Sequence, residues 1–251
     1  YFSLMISIVI LTKNSQRTIE KTLSSVKSFD EVIILDNGSV DQTLEIARNY
    51  KNVVIKEHKF IGFGDLRNIG AKYAKNDWIL ALDSDEVLSD LLIDEINSLI
   101  LNSENIYSFP FKNFYNNKHI KWCGWHPECH CRLYNRKKTS FCKSFVHEKI
   151  LKKDLNIYML KKPIYHYPYL CIDDFLIKMN KYSSLFADQN KEKKKTSFSK
   201  AIIHGLFAFF KSYIIKRGVF GGKEGFIISI YNANTSFFKY LKLDEINKIC
   251  S

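Results

Sequence analysis

Asp83 and Asp85 stand two positions apart at the end of an apolar run, Trp78-Ile79-Leu80-Ala81-Leu82, and Glu86 follows directly. Carboxylates at i and i+2 of a strand end can face one side. Two hard oxygen donors so placed suit Mg²⁺ or Mn²⁺ held together with a phosphorylated substrate. The plainer alternative is an acidic turn, with Ser84 or Asp85 capping a helix from about Ser89. Asp-x-Asp is short and has many chance matches. The buried strand before it favours the metal, because ligands of open α/β sheets gather at the carboxyl ends of their strands. Thr12 and Asn14 follow another apolar run, residues 5–11, and Asp36 follows a third, residues 31–35.

These side chains meet only if their strands lie side by side, and the pattern between them predicts that they do. Residues 5–11 are near-continuously apolar, as a buried parallel strand requires. Ile19, Leu23 and Val26 then recur at helical spacing. A second strand ends at Asp36-Asn37-Gly38-Ser39, and Ser39 is a good N-cap for a helix over residues 41–50, with Leu44 and Ala47 inward. Residues 52–56 form a short strand, and residues 62–74 a helix with Leu66, Ile69 and Tyr73 on one stripe. The strand ending at Asp83 follows. Four strands alternating with three helices predict an α/β domain with a largely parallel sheet and helices on both faces. Thr12, Asn14, Asp36, Asp83 and Asp85 then share the carboxyl edge of that sheet.

Several functions are excluded by what the turns lack. No Gly-x-Gly-x-x-Gly follows the first strand, and Gly62-Phe63-Gly64 with Gly70 has the wrong spacing and place for a dinucleotide cradle. There is no P-loop. Any nucleotide is therefore gripped by side chains.

Beyond residue 88 the pattern changes. A helix over residues 89–101 turns Leu92, Ile96 and Leu99 inward. Residues 107–115 alternate like a strand, residues 118–123 read as a hairpin return, and Gly124-Trp125-His126-Pro127-Glu128 as a tight aromatic loop before a strand at residues 131–134. Phe145-Val146-His147-Glu148 adds an imidazole and a carboxylate, with His147 read first as a hydrogen-bonded core histidine and second as a metal ligand or acceptor contact. After Pro163-Ile164-Tyr165-His166-Tyr167 the chain becomes helical and rich in Tyr, Lys and Phe. A boundary near 168 divides residues 1–168 from a C-terminal helical region, residues 169–251.

The 251 residues, 46% hydrophobic and 25% charged, suffice for one large core or a domain with an appendage. Lys and Arg exceed Asp and Glu by 38 to 26, a net +12, which implies an anionic partner. Cys123, Cys129, Cys131 and Cys142 cluster beside His126, His130 and His147. They contain no Cys-x-x-Cys, and they read as free thiols of a reducing cytoplasm rather than a zinc site. Residues 1–5 lead straight into a strand, so no secretory leader is expected. Residues 201–215 are strongly apolar but carry His204 and Lys211. They fall short of the ~20 apolar residues of a bilayer span. An interfacial surface, or packing on the sheet domain, is the expectation there.

Taken in order, Thr12-Lys13-Asn14, Asp36-Asn37-Gly38-Ser39-x-Asp41, Arg67-Asn68-x-Gly70 and Leu82-Asp83-Ser84-Asp85-Glu86 resemble the motifs of inverting family 2 glycosyltransferases with the GT-A fold. Gly124-Trp125-x-Pro127-Glu128, Arg132-Leu133-Tyr134, Val146-His147-Glu148 and His166-Tyr167 resemble one branch, the lipopolysaccharide-core β-1,4-glucosyltransferase-like proteins. The resemblance implies a Rossmann-like nucleotide-binding mixed sheet flanked by helices, with a C-terminal helical extension. It implies that Thr12, Asn14 and Asp36 bind the nucleotide, and that Arg67 faces its base or diphosphate. Asp83 would lie by ribose and metal, Asp85 would ligate Mg²⁺ or Mn²⁺, and Trp125 would wall or stack on the acceptor. Glu128 falls where the family places its catalytic base, although this branch more often has Asp. Glu148 is the second candidate.

The implied partners are a UDP-sugar donor, a lipid-linked saccharide acceptor and an anionic membrane surface, with no nucleic acid. The implied location is the inner face of the bacterial cytoplasmic membrane, as a peripheral protein. Two rivals remain at this point: a sugar-nucleotide pyrophosphorylase, which usually needs a glycine-rich basic loop after its first strand, and a basic nucleic-acid-binding protein, for which no compact recognition motif is present.

Overall fold

The structure, a computed structural model, describes residues 5–143, 148–152 and 154–249. His147 and Cys250 lie outside them. In chain order the elements are Ile6–Thr12 (β1), Ile19–Ser25 (α1), Glu31–Asp36 (β2), Thr43–Arg48 (α2), Val53–Glu57 (β3), Phe63–Tyr73 (α3), Trp78–Asp83 (β4), Glu86–Leu88 (β5) and Asp90–Asn97 (α4). There follow Asn105–Tyr115 (β6), Lys118–His119 (β7), Glu128–Asn135 (β8), Asn156–Met159 (β9), Ile164–Tyr169 (β10), Ile172–Asn190 (α5) and Phe198–Phe210 (α6). A π-helical turn at Lys211–Ile215, a 3-10 turn at Gly218–Gly221 and the long helix Gly222–Ile249 (α7) complete it. The chain divides into two compact units, one of Tyr1–Lys112 with Glu128–Tyr167 and the other of Asn113–Pro127 with Pro168–Ser251.

The first unit is the expected α/β domain. Its sheet runs β3-β2-β1-β4-β8-β6-β10-β5, parallel from β3 to β4, with β8 antiparallel to both β4 and β6. Residues of β1 alternate between its faces, as strand geometry demands. Ile6, Ile8 and Ile10 pack with Ile19 and Leu23 of α1 and Leu92 and Ile96 of α4, while Val9 packs with Ala71 and Ala74 at the end of α3. Gly70 is required by that second layer: a Cβ there would lie 2.5 Å from Cγ1 of Val9. The parallel register aligns Thr12 with Asp36 and Leu11 with Asp83, which brings three strand ends to one edge.

Local expectations hold less well at the caps. Ser39 does not cap α2, which begins at Thr43 with no side-chain cap at Gln42. Its hydroxyl donates to the Asp36 carboxylate instead, because a charged acceptor three residues back captures it. Neither Ser84 nor Asp85 caps the helix after β4. The strand β5 intervenes, and Ser89 caps α4 by accepting the Leu92 N–H at 3.3 Å. The loop expected to include Glu128 stops one residue earlier, since Glu128 already pairs with Phe111 as the first residue of β8.

In the second unit, Asn113–Pro127 and the C-terminal helices form one apolar cluster. Tyr169 stacks on Phe175 at 4.0 Å, Trp125 stacks on Tyr169 at 5.4 Å, and Tyr115 meets Phe175 edge-on at 4.8 Å. The glycines at 218–225 allow a close crossing of the chain. A Cβ on Gly225, already inside α7, would lie 2.0 Å from the Gly218 carbonyl oxygen. The apolar helix is longer than the residue pattern gave: Phe198–Ile215 spans 18 residues, long and apolar enough by length and composition to cross a membrane.

Candidate active site at the carboxyl edge of the sheet

All geometry that follows lies within the first unit. At the end of β4 the chain makes a two-residue turn, Ser84-Asp85, and returns as β5. The turn is fixed from α1 and from the loop before it. Thr22 Oγ1 donates to the Ser84 carbonyl at 3.0 Å, and the Ser15 and Ser84 hydroxyls are 2.7 Å apart. Glu86 closes it by accepting the Asp83 N–H at 3.0 Å.

Two arginines hold Asp83. Arg67 of α3, only 1% exposed, donates from Nη2 to Asp83 Oδ1 at 2.7 Å, from Nε to Glu148 at 2.9 Å and from Nη1 to the Leu82 carbonyl at 3.4 Å. Arg132 of β8 donates from Nη2 to Asp83 Oδ2 at 3.1 Å and also to Glu86. Asn68 anchors the same helix by a two-way pairing with the Phe141 backbone, each bond 2.9 Å. The Arg67-Asn68 dipeptide therefore builds the floor of the site, and its arginine is engaged by carboxylates rather than turned outward.

The two carboxylates beside Arg132 shift in opposite directions. Desolvation by the surrounding protein would raise the Asp83 carboxyl, yet the charges of Arg67 and Arg132, with His166, hold it well below the usual carboxylate range. Glu86, 1% exposed, shares only one of those arginines closely. Burial pushes it up to about 7, with Arg132 pulling down and the Asp83 charge pushing up. Burial opposes the charge on His166, but Asp85 beside it, then Glu86 and Asp83, raise its pKa above the ordinary value.

Asp85 points to a different partner. Its Oδ1 lies 3.6 Å from Nε2 of His166, and each side chain keeps about a quarter of its surface exposed. β10 pairs antiparallel with β5, placing His166 opposite Glu86, and the Tyr167 N–H donates to the Asp85 carbonyl at 2.9 Å. Glu128 and His130 occupy alternate positions of β8, opposite Phe111 and Phe109, and so share one face, and a register shift follows at Arg132. Glu128 Oε1 is 2.8 Å from His130 Nε2, and both side chains are exposed to solvent. The ring of Phe111 on β6 lies between these groups, with the His130 ring at 4.9 Å, the His166 ring at 6.1 Å and the Arg132 guanidinium at 5.5 Å.

A divalent cation fits part of this arrangement. Both Asp83 oxygens accept from arginines, whereas Asp85 and His166 offer a hard oxygen and an imidazole nitrogen side by side. No group of three or more His, Cys, Asp or Glu side chains is set to hold a metal among the described residues. Two protein donors suit a cation that completes its shell with phosphate oxygens and water.

The remaining sequence candidates divide between edge and elsewhere. Thr12 is 3% exposed, and its Oγ1 has no hydrogen-bond partner among the described residues. Asp36, 1% exposed, accepts from the N–H groups of Gly38 and Ser39 at 2.9 and 2.8 Å. Asn14 adopts φ 50, and its side-chain oxygen accepts the Val40 N–H at 2.9 Å, so it braces the loop after β1 against that after β2. Trp125 belongs to the second unit and its aromatic cluster. Sequence reasoning gave no role to His166, His130, Arg132 or Glu86. The alternation of Glu128 and His130 along one strand was the available signal.

The chain is similar to known proteins over nearly its whole length. A family model described as glycosyl transferase family 2 matches residues 7–155. An uncharacterized glycosyltransferase of Rickettsia bellii (strain RML369-C) is 33% identical over 262 residues, covering 98% of this chain and 88% of that protein. The lipopolysaccharide core biosynthesis glycosyltransferase LpsC of Rhizobium meliloti (strain 1021) is 25% identical over 252 residues, covering 96% and 92%. Among solved structures, S. aureus TarS 1–349 in complex with UDP-GlcNAc has a TM-score of 0.49 at 14% identity, covering 99% of this chain and 93% of that one.

Proposed function

This chain belongs to glycosyl transferase family 2 and is a glycosyltransferase with the GT-A fold, and from that premise we propose that it transfers a hexose, glucose by preference, from a UDP-sugar to a lipid-linked saccharide with inversion at the anomeric carbon. The observation that carries this reading is the convergence of Asp85 with His166, and of Glu128 with His130, around Phe111 at the carboxyl edge of the sheet. A lipopolysaccharide core is the acceptor of choice, supported by the likeness to LpsC. Such an acceptor places the work at the inner face of the cytoplasmic membrane.

In this reading Thr12 and Asp36 line the nucleotide end of the edge, with the Thr12 hydroxyl open to a donor or acceptor on the base. Asn14 holds that loop in shape. Arg67 and Arg132 act through Asp83: they fix its carboxylate beneath the ribose and keep it ionised. Asp85 and His166 would hold Mg²⁺ or Mn²⁺, and Asp83 would join them only by exchanging one of its arginines. When bound, the cation stabilises the negative charge that builds on the departing diphosphate.

Glu128 takes the proton of the acceptor hydroxyl as that oxygen bonds to the anomeric carbon. The bond from that carbon to the diphosphate oxygen breaks with its electron pair, through an oxocarbenium-like state. One base therefore suffices for a single inverting displacement. His130 positions the Glu128 carboxylate from 2.8 Å. Glu148, the second candidate, is held by the buried Arg67 and is the poorer base. Trp125 is assigned to the acceptor wall on the resemblance alone.

The test is UDP release from UDP-glucose in the presence of a lipopolysaccharide-core acceptor, with and without Mn²⁺, together with a thermal-shift panel of nucleotide sugars. Transfer that needs both partners and is lost on chelation supports the reading. A chain that binds neither UDP nor a divalent cation would sink it.

A further inference from the structure

Within the second unit, α6 and the π-helical turn after it present two unlike faces. Ala201, Gly205 and Ser212 are buried. A Cβ on Gly205 would lie 3.1 Å from Cβ of Phe237, and Ser212 Oγ accepts from Ser229 at 3.0 Å and Asn232 at 2.9 Å, so this face is fitted to α7. On the other side Ile203, Leu206, Phe207, Phe210 and Ile214 are each 50–68% exposed. Their spacing of three and four residues makes a continuous helical stripe. Phe220, on the 3-10 turn that follows, is 69% exposed as well. A contiguous apolar surface of this extent marks a binding face on a water-soluble unit.

The charge around the stripe says what covers it. Residues 193–223 contain seven lysines and one arginine and neither Asp nor Glu. At about 100° per residue, Lys200 and Lys211 fall along one border of the stripe. We infer that this surface seats the second unit in the interface of an anionic bilayer, with the aromatic and aliphatic side chains among the acyl chains and the lysines at the headgroups. The inference rests on the proposed lipid-linked acceptor for the reason a bilayer is at hand, and it adds the surface and the lipid charge.

Two features place the helix along the membrane rather than through it, although its 18 residues are long enough to cross. Lys200 and Lys211 both sit inside that length. Its inward face is bonded to α7 through Ser212, Ser229 and Asn232, polar groups that a spanning pair would carry into hydrocarbon. A second copy of the chain is the poorer occupant, because it would set the same eight positive charges against each other.

The experiment is co-sedimentation of the full chain with phosphatidylglycerol vesicles and with phosphatidylcholine vesicles, in the absence of nucleotide sugar. Binding to the first, at least tenfold weaker to the second and weakened by salt, is expected. Leu206→Asp with Phe207→Asp changes only exposed positions. It should lose tenfold or more in vesicle affinity while circular dichroism and UDP-sugar binding to the first unit stay unchanged. No binding to phosphatidylglycerol overturns the inference, as does equal binding by the double variant. Retention in the membrane after alkaline carbonate extraction overturns it in favour of a span, and concentration-dependent dimerisation abolished by the variant overturns it in favour of a second copy. Because the readout uses no donor, a failed transfer assay leaves this result standing, and the reverse holds too.

Discussion

His166 Nε2 lies 3.6 Å from Asp85 Oδ1, brought there by the antiparallel pairing of β10 with β5 although the two residues are 81 positions apart in the chain (166 against 85). If this pair grips the cation, Asp85→Ala and His166→Ala should each lower transfer by on the order of 10²–10³-fold. Both side chains are partly exposed, so the fold should survive. Mn²⁺ titration of the donor-bound protein checks the assignment. Variants that keep the wild-type dependence on Mn²⁺ move the cation elsewhere.

Arg132 is the tie between Asp83 and Glu86. Arg132→Leu takes the guanidinium from the buried Glu86, whose carboxyl, already raised to about 7, then takes up a proton, and the lost hydrogen bonds should cost about 1–3 kcal/mol. Urea denaturation reads that loss directly. A variant as stable as wild type would mean that Asp83 and Glu86 are held by other groups.

The same cluster predicts how stability depends on pH. Glu86 has its carboxyl raised from 4.5 to about 7 in the folded protein, so the folded state binds its proton more tightly there. Its contribution is present in full below pH 4.5 and is lost as pH rises through about 7. Asp83 is lowered from 3.8, so its contribution stands above that pH and is lost on further acidification. Glu86→Gln should therefore flatten the fall in urea midpoint across pH 4.5 to 7 and leave the acid limb intact. Parallel curves for the two proteins would refute the Glu86 assignment.

Glu128 separates binding from chemistry. Glu128→Gln keeps shape and polarity but cannot take a proton, so donor affinity should be unchanged while kcat falls by roughly 10²–10⁴-fold. His130→Ala should lower kcat less and alter its pH profile. Full activity in Glu128→Gln would pass the base to Glu148 and require Arg67 to release it.

Thr12 offers the opposite separation. Its hydroxyl is buried without a partner among the described residues, so Thr12→Val removes an unsatisfied group and should hold or raise stability by up to about 1 kcal/mol. UDP affinity should fall in the same variant. Calorimetric titration with UDP gives the answer, and unaltered affinity would take Thr12 out of the nucleotide site.

How much of this was legible beforehand follows from what each pattern records. Apolar runs of five to seven residues alternating with helical spacing sufficed for the parallel half of the sheet, because strands buried on both faces have no polar side to show. The strand ends at Thr12, Asp36 and Asp83 were legible for the same reason, as points where burial stops. The chain alone could also give the family, since its motifs come in order. It could not give partners. Arg67 reads as a ligand-facing cation in isolation, but α3 packs on β1 across Gly70, and the close approach turns the guanidinium toward Asp83 and Glu148. Ser39 reads as a helix cap until Asp36 is seen to claim it. His166 was one imidazole in an aromatic run, and only the β10–β5 pairing sets it before Asp85. Sequence specifies where chain direction and burial change, since those are local and periodic. Which charge meets which is decided by long-range strand pairing and helix docking, and that is settled only in three dimensions.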